Sequence, residues 1–324
     1  MNDISTYSLD FIGESQNDYS LIRNFYKNPP QVTQSETDRS YTLYTPQDTY
    51  FFENIPNTVH STEKLVSQTS DTDEWIERIQ EELQKHEKNQ ITNGYVSTAN
   101  TITNTELTFD TITYFNARSS LEKFQFEAIK SKSLPDTTET YLAGITHTLL
   151  ISPTTSDNTY VMIGRNSQNK TIQSLQYNTA PAGLIEPHHI KPTLTETITE
   201  HFCEEAPEEL LHNKISFSEF KETLKNKKSN ISITPTSVYI DQFSRSLEIS
   251  TVINITGQLA DFILEAMNPN KEYSTVTNYP LDIFGKSSEF PVDITDFTRQ
   301  SRVSLLLMLC SEYDSWNLNQ SETQ

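Results

Sequence analysis

The chain has 324 residues, of which 34% are hydrophobic, and carries a formal net charge of −20 with an isoelectric point of about 4.7. That length buries at least one good core, and the low apolar fraction leaves polar segments beside it. The acidic balance lacks the basic field that a nucleic-acid backbone requires, which excludes nucleic acid as an expected partner; it fits an ordinary soluble surface or a high-salt cytoplasm equally.

Residues 1–70 are rich in Asn, Gln, Ser, Thr, Asp and Tyr with scattered aromatics, and read as a polar, loosely packed extension. The opening MNDISTYSLDFIGES has neither the basic start nor the apolar stretch of a secretory leader, so the expected compartment is the cytoplasm. A second region, residues 71–135, begins with a helix expected over Asp71 to Asn89, capped by Asp73 with Trp75, Ile76, Ile79 and Leu83 on one face. Residues 90–105 are loop-like, with slight strand character at the end. Glu106 to Ala117 alternates as a strand, and Ser120 to Ser131 reads as a short helix through Leu121, Phe124 and Ala128.

The main domain is expected over residues 136–313. Tyr141 to Ile151 is β-branched and aliphatic, Ser152 to Asn158 is a turn, and Tyr160 to Gly164 is a second strand, followed by the polar Arg165-Asn166-Ser167. His147, inside the first of these strands, reads as packed. The next informative stretch runs from Ala180 to Leu211. A small-residue turn, Pro181-Ala182-Gly183, leads through Leu184-Ile185-Glu186-Pro187 to a helix with Leu194, Ile198 and Phe202 on one face. Glu196, Glu200 and Glu204 stack on another face, a small repulsive cost unless a cation sits among them. Either an acidic solvated face or an ion site explains them. Cys203, within this helix, reads as a small packed residue.

Beyond it, Ser216 to Lys227 reads as a helix, Ser237 to Ile240 and Leu247 to Thr256 as a strand pair, and Gly257 to Met267 as another helix. Asp293 to Tyr313 closes the fold as a helix that is apolar nearly all round from Val303 to Leu309, hence buried. The longest apolar run, Val303 to Cys310, is too short to span a bilayer, so no membrane is expected as partner, and two cysteines are too few for a disulfide framework. Residues 314–324 read as a polar, disordered tail.

The order of the turn and the helix ending in Glu204-Glu205 resembles the Nudix box, whose pattern is G-x5-E-x7-R-E-U-x-E-E-x-G-U with U aliphatic. Anchored on Glu204-Glu205, Phe202 falls at the U position, His201 stands where the family has its first metal-binding Glu, and Glu200 where it has Arg. Pro207 replaces the closing Gly, the early Glu falls at Pro192, and three extra residues lie around His188-His189-Ile190. The strand, turn, strand and polar cluster from Tyr141 to Ser167 extend the resemblance upstream.

The resemblance implies an α/β (α+β) fold with a mixed β-sheet sandwiched between helices. It implies metal-dependent cleavage of the diphosphate linkage of a nucleoside diphosphate joined to another moiety, with Mg2+ or Mn2+ as cofactor. Glu204, Glu205 and Glu200 take the catalytic positions, and Glu204, Glu205 and His201 the metal positions, joined by a backbone carbonyl from the glycine loop. Arg165, Gly183 and Glu186 are the expected substrate contacts. Hard cations take oxygen ligands, whereas imidazole is a poor ligand for magnesium and a tolerable one for manganese, zinc or iron, so His201 changes the metal or weakens it. Glu200 points about 100° away from His201. Glu186 stands at the loop mouth, where it is able to replace the lost acidic residue. Arg165 suits either a substrate phosphate or a structural salt bridge. His188 and His189 are read as exposed, with a base or ligand role beside His201 as the alternative. A Nudix-like domain that binds a nucleotide or a protein without hydrolysis, and an unrelated α+β interaction protein with an acidic helix, stay open beside the enzyme; the oligomeric state is open too.

Overall fold

The computed structural model describes residues 32–34, 41–43, 49–52, 54–66, 93–131, 141–167, 176–211, 215–241, 245–267, 273–285, 292 and 296–312. The helix expected over Asp71 to Asn89 and the tail at 314–324 lie outside the described residues. Two short strands, β1 (Val32–Gln34) and β2 (Tyr41–Leu43), pair antiparallel with each other. The remaining strands form one mixed sheet. In chain order they are β3 (Thr49–Phe51), β4 (Thr58–Leu65), β5 (Tyr95–Ile102), β6 (Glu106–Thr113), β7 (Tyr141–Ser152), β8 (Tyr160–Asn166), β9 (Tyr177–Thr179), β10 (Ala182–Leu184), β11 (Ile231–Asp241), β12 (Ser246–Thr256) and β13 (Tyr273–Pro280). The helices are α1 (Tyr114–Ser131), α2 (Leu194–Glu205), α3 (Phe217–Asn226), α4 (Gly257–Ala266), α5 (Leu281–Gly285) and α6 (Arg299–Glu312).

Strand β7 is the axis of the sheet. One edge pairs in parallel with β12 from Leu142↔Ser246 to Ser152↔Thr256. The other edge is divided among three short partners: β5 at Tyr141 and Leu142, β10 at Gly144 to Thr146, and β8 at Leu150 and Ile151. Its alternation places Ala143, Ile145, Leu149 and Ile151 on the face covered by α2, α3 and α4, with His147 among them. Leu150 and Thr148 face α6, where the Thr148 hydroxyl meets that of Ser304 at 2.9 Å. A mixed sheet between helix layers is the architecture the sequence leads one to expect. Among the described residues no helix is long and apolar enough to cross a membrane.

The polar N-terminal region contributes more than an extension. Strands β3 and β4 stand at opposite ends of the path β3-β11-β12-β7-β5-β6-β4, yet only residues 52–57 join them. Fully extended, that link reaches about 25 Å, while six flat inter-strand steps need about 29 Å. The sheet must therefore curl, and it curls around the first turns of α2. The Val59 N–H donates to the Pro192 carbonyl at 3.0 Å, and the Leu194 N–H to the Asn57 carbonyl at 2.9 Å. Val59, Leu107, Phe109, Val238 and Ile249 pack there with Leu194 and Ile198.

Several boundaries differ from the sequence reading. Residues 95–102 form β5 in a hairpin with β6, although they read as loop. Strand β6 stops at Thr113, and α1 begins at once with Tyr114. Strand β11 starts at Ile231, six residues early, because Pro235 sits at a bulge between Pro235 and Ser237 instead of ending the strand. Strand β13 is largely half-buried or exposed and has no apolar alternation to reveal it. Helix α6 starts at Arg299, and its run from Val303 to Leu309 is buried except for half-buried Leu307.

Helix α2 is held chiefly by Phe202, fully buried between β7, α3 and α4 with its ring 5.9 Å from that of Phe220. Phe202→Ala is expected to cost about 3–5 kcal/mol of folding stability. Urea unfolding measures this, and a loss below about 1 kcal/mol would contradict the packing described.

Candidate functional site

Helix α2 begins at a capping box. The Thr193 N–H and hydroxyl donate to Glu196 Oε2 at 3.3 and 2.8 Å, and the Glu196 N–H donates back to Thr193 Oγ1 at 3.3 Å. At its other end the helix widens into a π turn, Ala206–Leu210. Pro207 brings no N–H to the carbonyl four residues back, which favours such a change of hydrogen bonding.

The small-residue turn reaches this helix through β10. Gly183 pairs with Ile145 of β7, and the His147 N–H donates to the Pro181 carbonyl at 3.2 Å. A methyl group on Gly183 would stand 2.7 Å from Glu205 Oε1 and 3.2 Å from His201 Nε2. A larger residue would force the Glu205 carboxylate to shift. The turn is anchored further by buried Glu209, whose Oε2 accepts from the Ala182 N–H at 3.2 Å and from the Tyr273 hydroxyl at 3.0 Å. Glu209, four residues after Glu205, thus grips the loop, while Glu205 lies against Gly183.

His201 is wholly buried. Its Nδ1 is 3.0 Å from His147 Nε2, and His147 Nδ1 is 2.7 Å from Thr251 Oγ1. Two proton arrangements satisfy this chain. Either the Thr251 hydroxyl donates to His147, which leaves a proton on His201 Nε2, or it turns to the Thr146 carbonyl at 3.4 Å. In the second case each ring carries its proton on Nδ1, and His201 Nε2 presents a lone pair. Nε2 makes no well-formed hydrogen bond and lies 3.8 Å from Glu205 Oε1, although the nearby Gly183 backbone favours protonation of the ring. Burial pushes both imidazoles down, His147 to about 3 with repulsion from His189 adding, and His201 well below its ordinary value with His147 and His189 adding. Both are neutral.

The stacked carboxylates of α2 share no common cation; each has its own partner. Glu196 serves the cap, Glu200 accepts from Lys221 Nζ of α3 at 2.5 and 2.7 Å, and Glu204 Oε2 lies 2.6 Å from His188 Nε2 and 2.8 Å from His189 Nε2. Partial burial raises the Glu204 pKa, but the bonds from His188 and His189 outweigh it and hold the carboxyl below its usual value. Glu186 is shifted upward by partial burial, against the pull of His188.

The loop histidines differ from the sequence expectation. His188 is exposed, but the 3-10 turn Pro187–His189 carries His189 inward until it is 1% exposed, 5.1 Å ring to ring from His201. Among the described residues the one group of three ligand-type atoms lying within 4.8 Å of one another is His188, His189 and Glu204. Glu204 thus does not share a point with both Glu205 and His201. Arg165 lies exposed on β8 with its guanidinium 5.6 Å from the Tyr177 ring centroid. Cys203 is packed as expected, its thiol pushed up to about 12 by burial and by Glu200. His147 is packed, as the sequence reading has it, but its bond to His201 was not foreseen; Thr251, Glu209 and Lys221 were not singled out, and only Glu209, one helical turn after Glu205, left a spacing signal.

No family model matches the chain, and no curated protein does. Among solved structures, DR0079 from Deinococcus radiodurans is similar at 13% identity and a TM-score of 0.30, over 54% of this chain and 87% of that one. A MutT/nudix family protein from Enterococcus faecalis is similar at 12% identity and a TM-score of 0.27, over 48% of this chain and 50% of that one. The functional reading therefore rests on the geometry of the site itself.

The neutral histidines make stability depend on pH. Unfolded, an imidazole binds a proton below about 6.5, whereas folded His147 resists until about 3. Its contribution is complete above pH 6.5 and is lost as pH falls toward 3, at up to about 1.4 kcal/mol per pH unit. Urea midpoints between pH 7 and pH 4 should fall less steeply for His147→Gln than for the wild type. Parallel slopes would show that His147 is protonated in the folded protein.

Proposed function

We propose that the protein is a divergent Nudix-type hydrolase that splits, with a divalent metal, the diphosphate linkage of a nucleoside diphosphate joined to another moiety. The observation that carries this reading is the buried Nε2 of His201, which makes no well-formed hydrogen bond and stands 3.8 Å from Glu205 Oε1 and against Gly183. Its other ring nitrogen is oriented by His147, as the outer nitrogen of a metal-ligating imidazole ordinarily is. The tautomer with a lone pair at Nε2 needs only that the Thr251 hydroxyl turn to the Thr146 carbonyl, so no buried charge is created on the way.

The donor set fits a metal: His201, Glu205 and the Gly183 backbone would hold it. One imidazole beside one carboxylate suits Mn2+ better than Mg2+. An ion at this point supplies charge neutralisation on the phosphoryl oxygens and a lowered pKa for bound water. Glu205, one-fifth exposed, is the residue of the three whose carboxylate meets both the interior and the surface. Gly183 lets the backbone of the turn lie against Glu205 and His201, and Glu186 and His188 stand exposed beside them.

One observation favours a second reading, a Nudix-like domain that binds a nucleotide without hydrolysis. Glu204, where the family has an acidic ligand, is already engaged by two histidines. A panel of dinucleotides and nucleoside diphosphate sugars, incubated with Mn2+ or Mg2+, separates the two. The hydrolase reading expects release of phosphate-bearing products, faster with Mn2+, and a loss of roughly 100-fold or more in Glu205→Gln. A nucleotide that raises the Tm with no turnover would support the binding domain, and neither effect would dismiss both.

A further inference from the structure

Resting on that reading of the ion site, we infer that His188 and His189 clamp Glu204 away from His201 and Glu205 and so determine which metal the site accepts. The argument begins with a tautomer. His189 Nδ1 accepts a hydrogen bond from the Glu186 backbone N–H at 3.0 Å. A neutral imidazole that accepts through Nδ1 carries its one proton on Nε2. That proton points at Glu204 Oε2, 2.8 Å away.

This arrangement excludes a metal among His188, His189 and Glu204 despite their proximity. A metal on Nε2 of His189 needs the lone pair there and the proton on Nδ1, where it would meet the Glu186 N–H donor against donor. The ring has little freedom to turn, being 4.2 Å from the His188 ring and 5.1 Å from that of His201. His188 adds a second contact to the same oxygen at 2.6 Å, and its Nδ1 stands 3.5 Å from Glu186 Oε2, so a carboxylate lies at each end of that ring. Glu204 thus receives from its own chain the compensation that an ion would otherwise supply.

The consequence is a site with one carboxylate and one imidazole. Mg2+ holds its ligands through oxygen and charge and suffers most from losing a carboxylate, whereas Mn2+ tolerates nitrogen. The residues that carry the clamp, His188 and His189, lie in the short segment added between the glycine turn and α2.

Calorimetric titration of the full chain with Mn2+ and with Mg2+ tests this. Freeing Glu204 by His188→Ala with His189→Phe, which keeps a ring in the buried position, should raise Mg2+ affinity roughly tenfold or more. Adding Glu204→Gln to that double variant should abolish the gain. In the wild-type background Glu204→Gln should leave Mn2+ affinity within about twofold, while Glu205→Gln should weaken it roughly tenfold or more. The clamp is overturned if Glu204→Gln alone weakens Mn2+ binding roughly tenfold or more, or if the double variant gains nothing for Mg2+. Equal Mn2+ binding by wild type and Glu205→Gln would instead overturn the ion site, leaving the Mg2+ comparison to judge the clamp. Should the double variant not fold, nitrogen-15 NMR of wild-type His189 decides: Nε2 protonated and Nδ1 bare supports the clamp, and any other state at neutral pH refutes it.

Discussion

The site exists because Gly183 lies flat against the end of α2. A hydrogen in place of a side chain lets β10 pair with β7 and still touch both Glu205 and His201. A Cβ there would stand 2.7 Å from Glu205 Oε1, so the carboxylate would have to swing away from the turn. Glu209 adds a second grip one turn further on, which the widened turn after Glu205 places under Ala182. Backbone and carboxylate are thereby held in register by contacts that have little freedom to relax.

That register also explains the state of the histidines. His201 enters the interior beside Phe202, each ring in contact with His147, and burial of the His201 ring keeps it neutral. The Thr251 hydroxyl and the Thr146 carbonyl at the far end of the chain allow both tautomers. A protein of net charge −20 thus keeps uncharged nitrogen at the centre of its acidic helix, and distributes the carboxylates to separate partners: a cap, a lysine and a pair of loop histidines. Repulsion along the helix is offset locally, not by one shared ion.

The curled sheet ties these parts to the rest of the molecule. Strand β4 binds through its backbone beside Pro192 and so braces the loop just before α2, while β12 supplies Thr251 to the histidine chain from the opposite side of β7. Residues far apart in sequence thus set the position of one helix.

Much of the frame is legible from sequence alone. Strands β7, β8 and β12 and helices α2, α3 and α4 carry apolar residues at the spacing of the face they bury, and that spacing is a local property. Gly183 and the end of α2 are legible as well, because a small-residue turn followed by paired glutamates is a pattern along the chain. Strand β4 is not, since backbone hydrogen bonds hold an edge whose side chains mostly stay in water, and β13 shows no apolar alternation. Nor does a polar pair such as His188-His189 tell which ring turns inward; a single 3-10 turn decides it. The partners Lys221 for Glu200, His147 for His201 and the loop histidines for Glu204 are likewise decided only by the folded chain. Sequence specifies which groups are able to ionise, but their charge depends on burial and neighbours, and those are fixed by contacts between residues that sequence distance keeps apart.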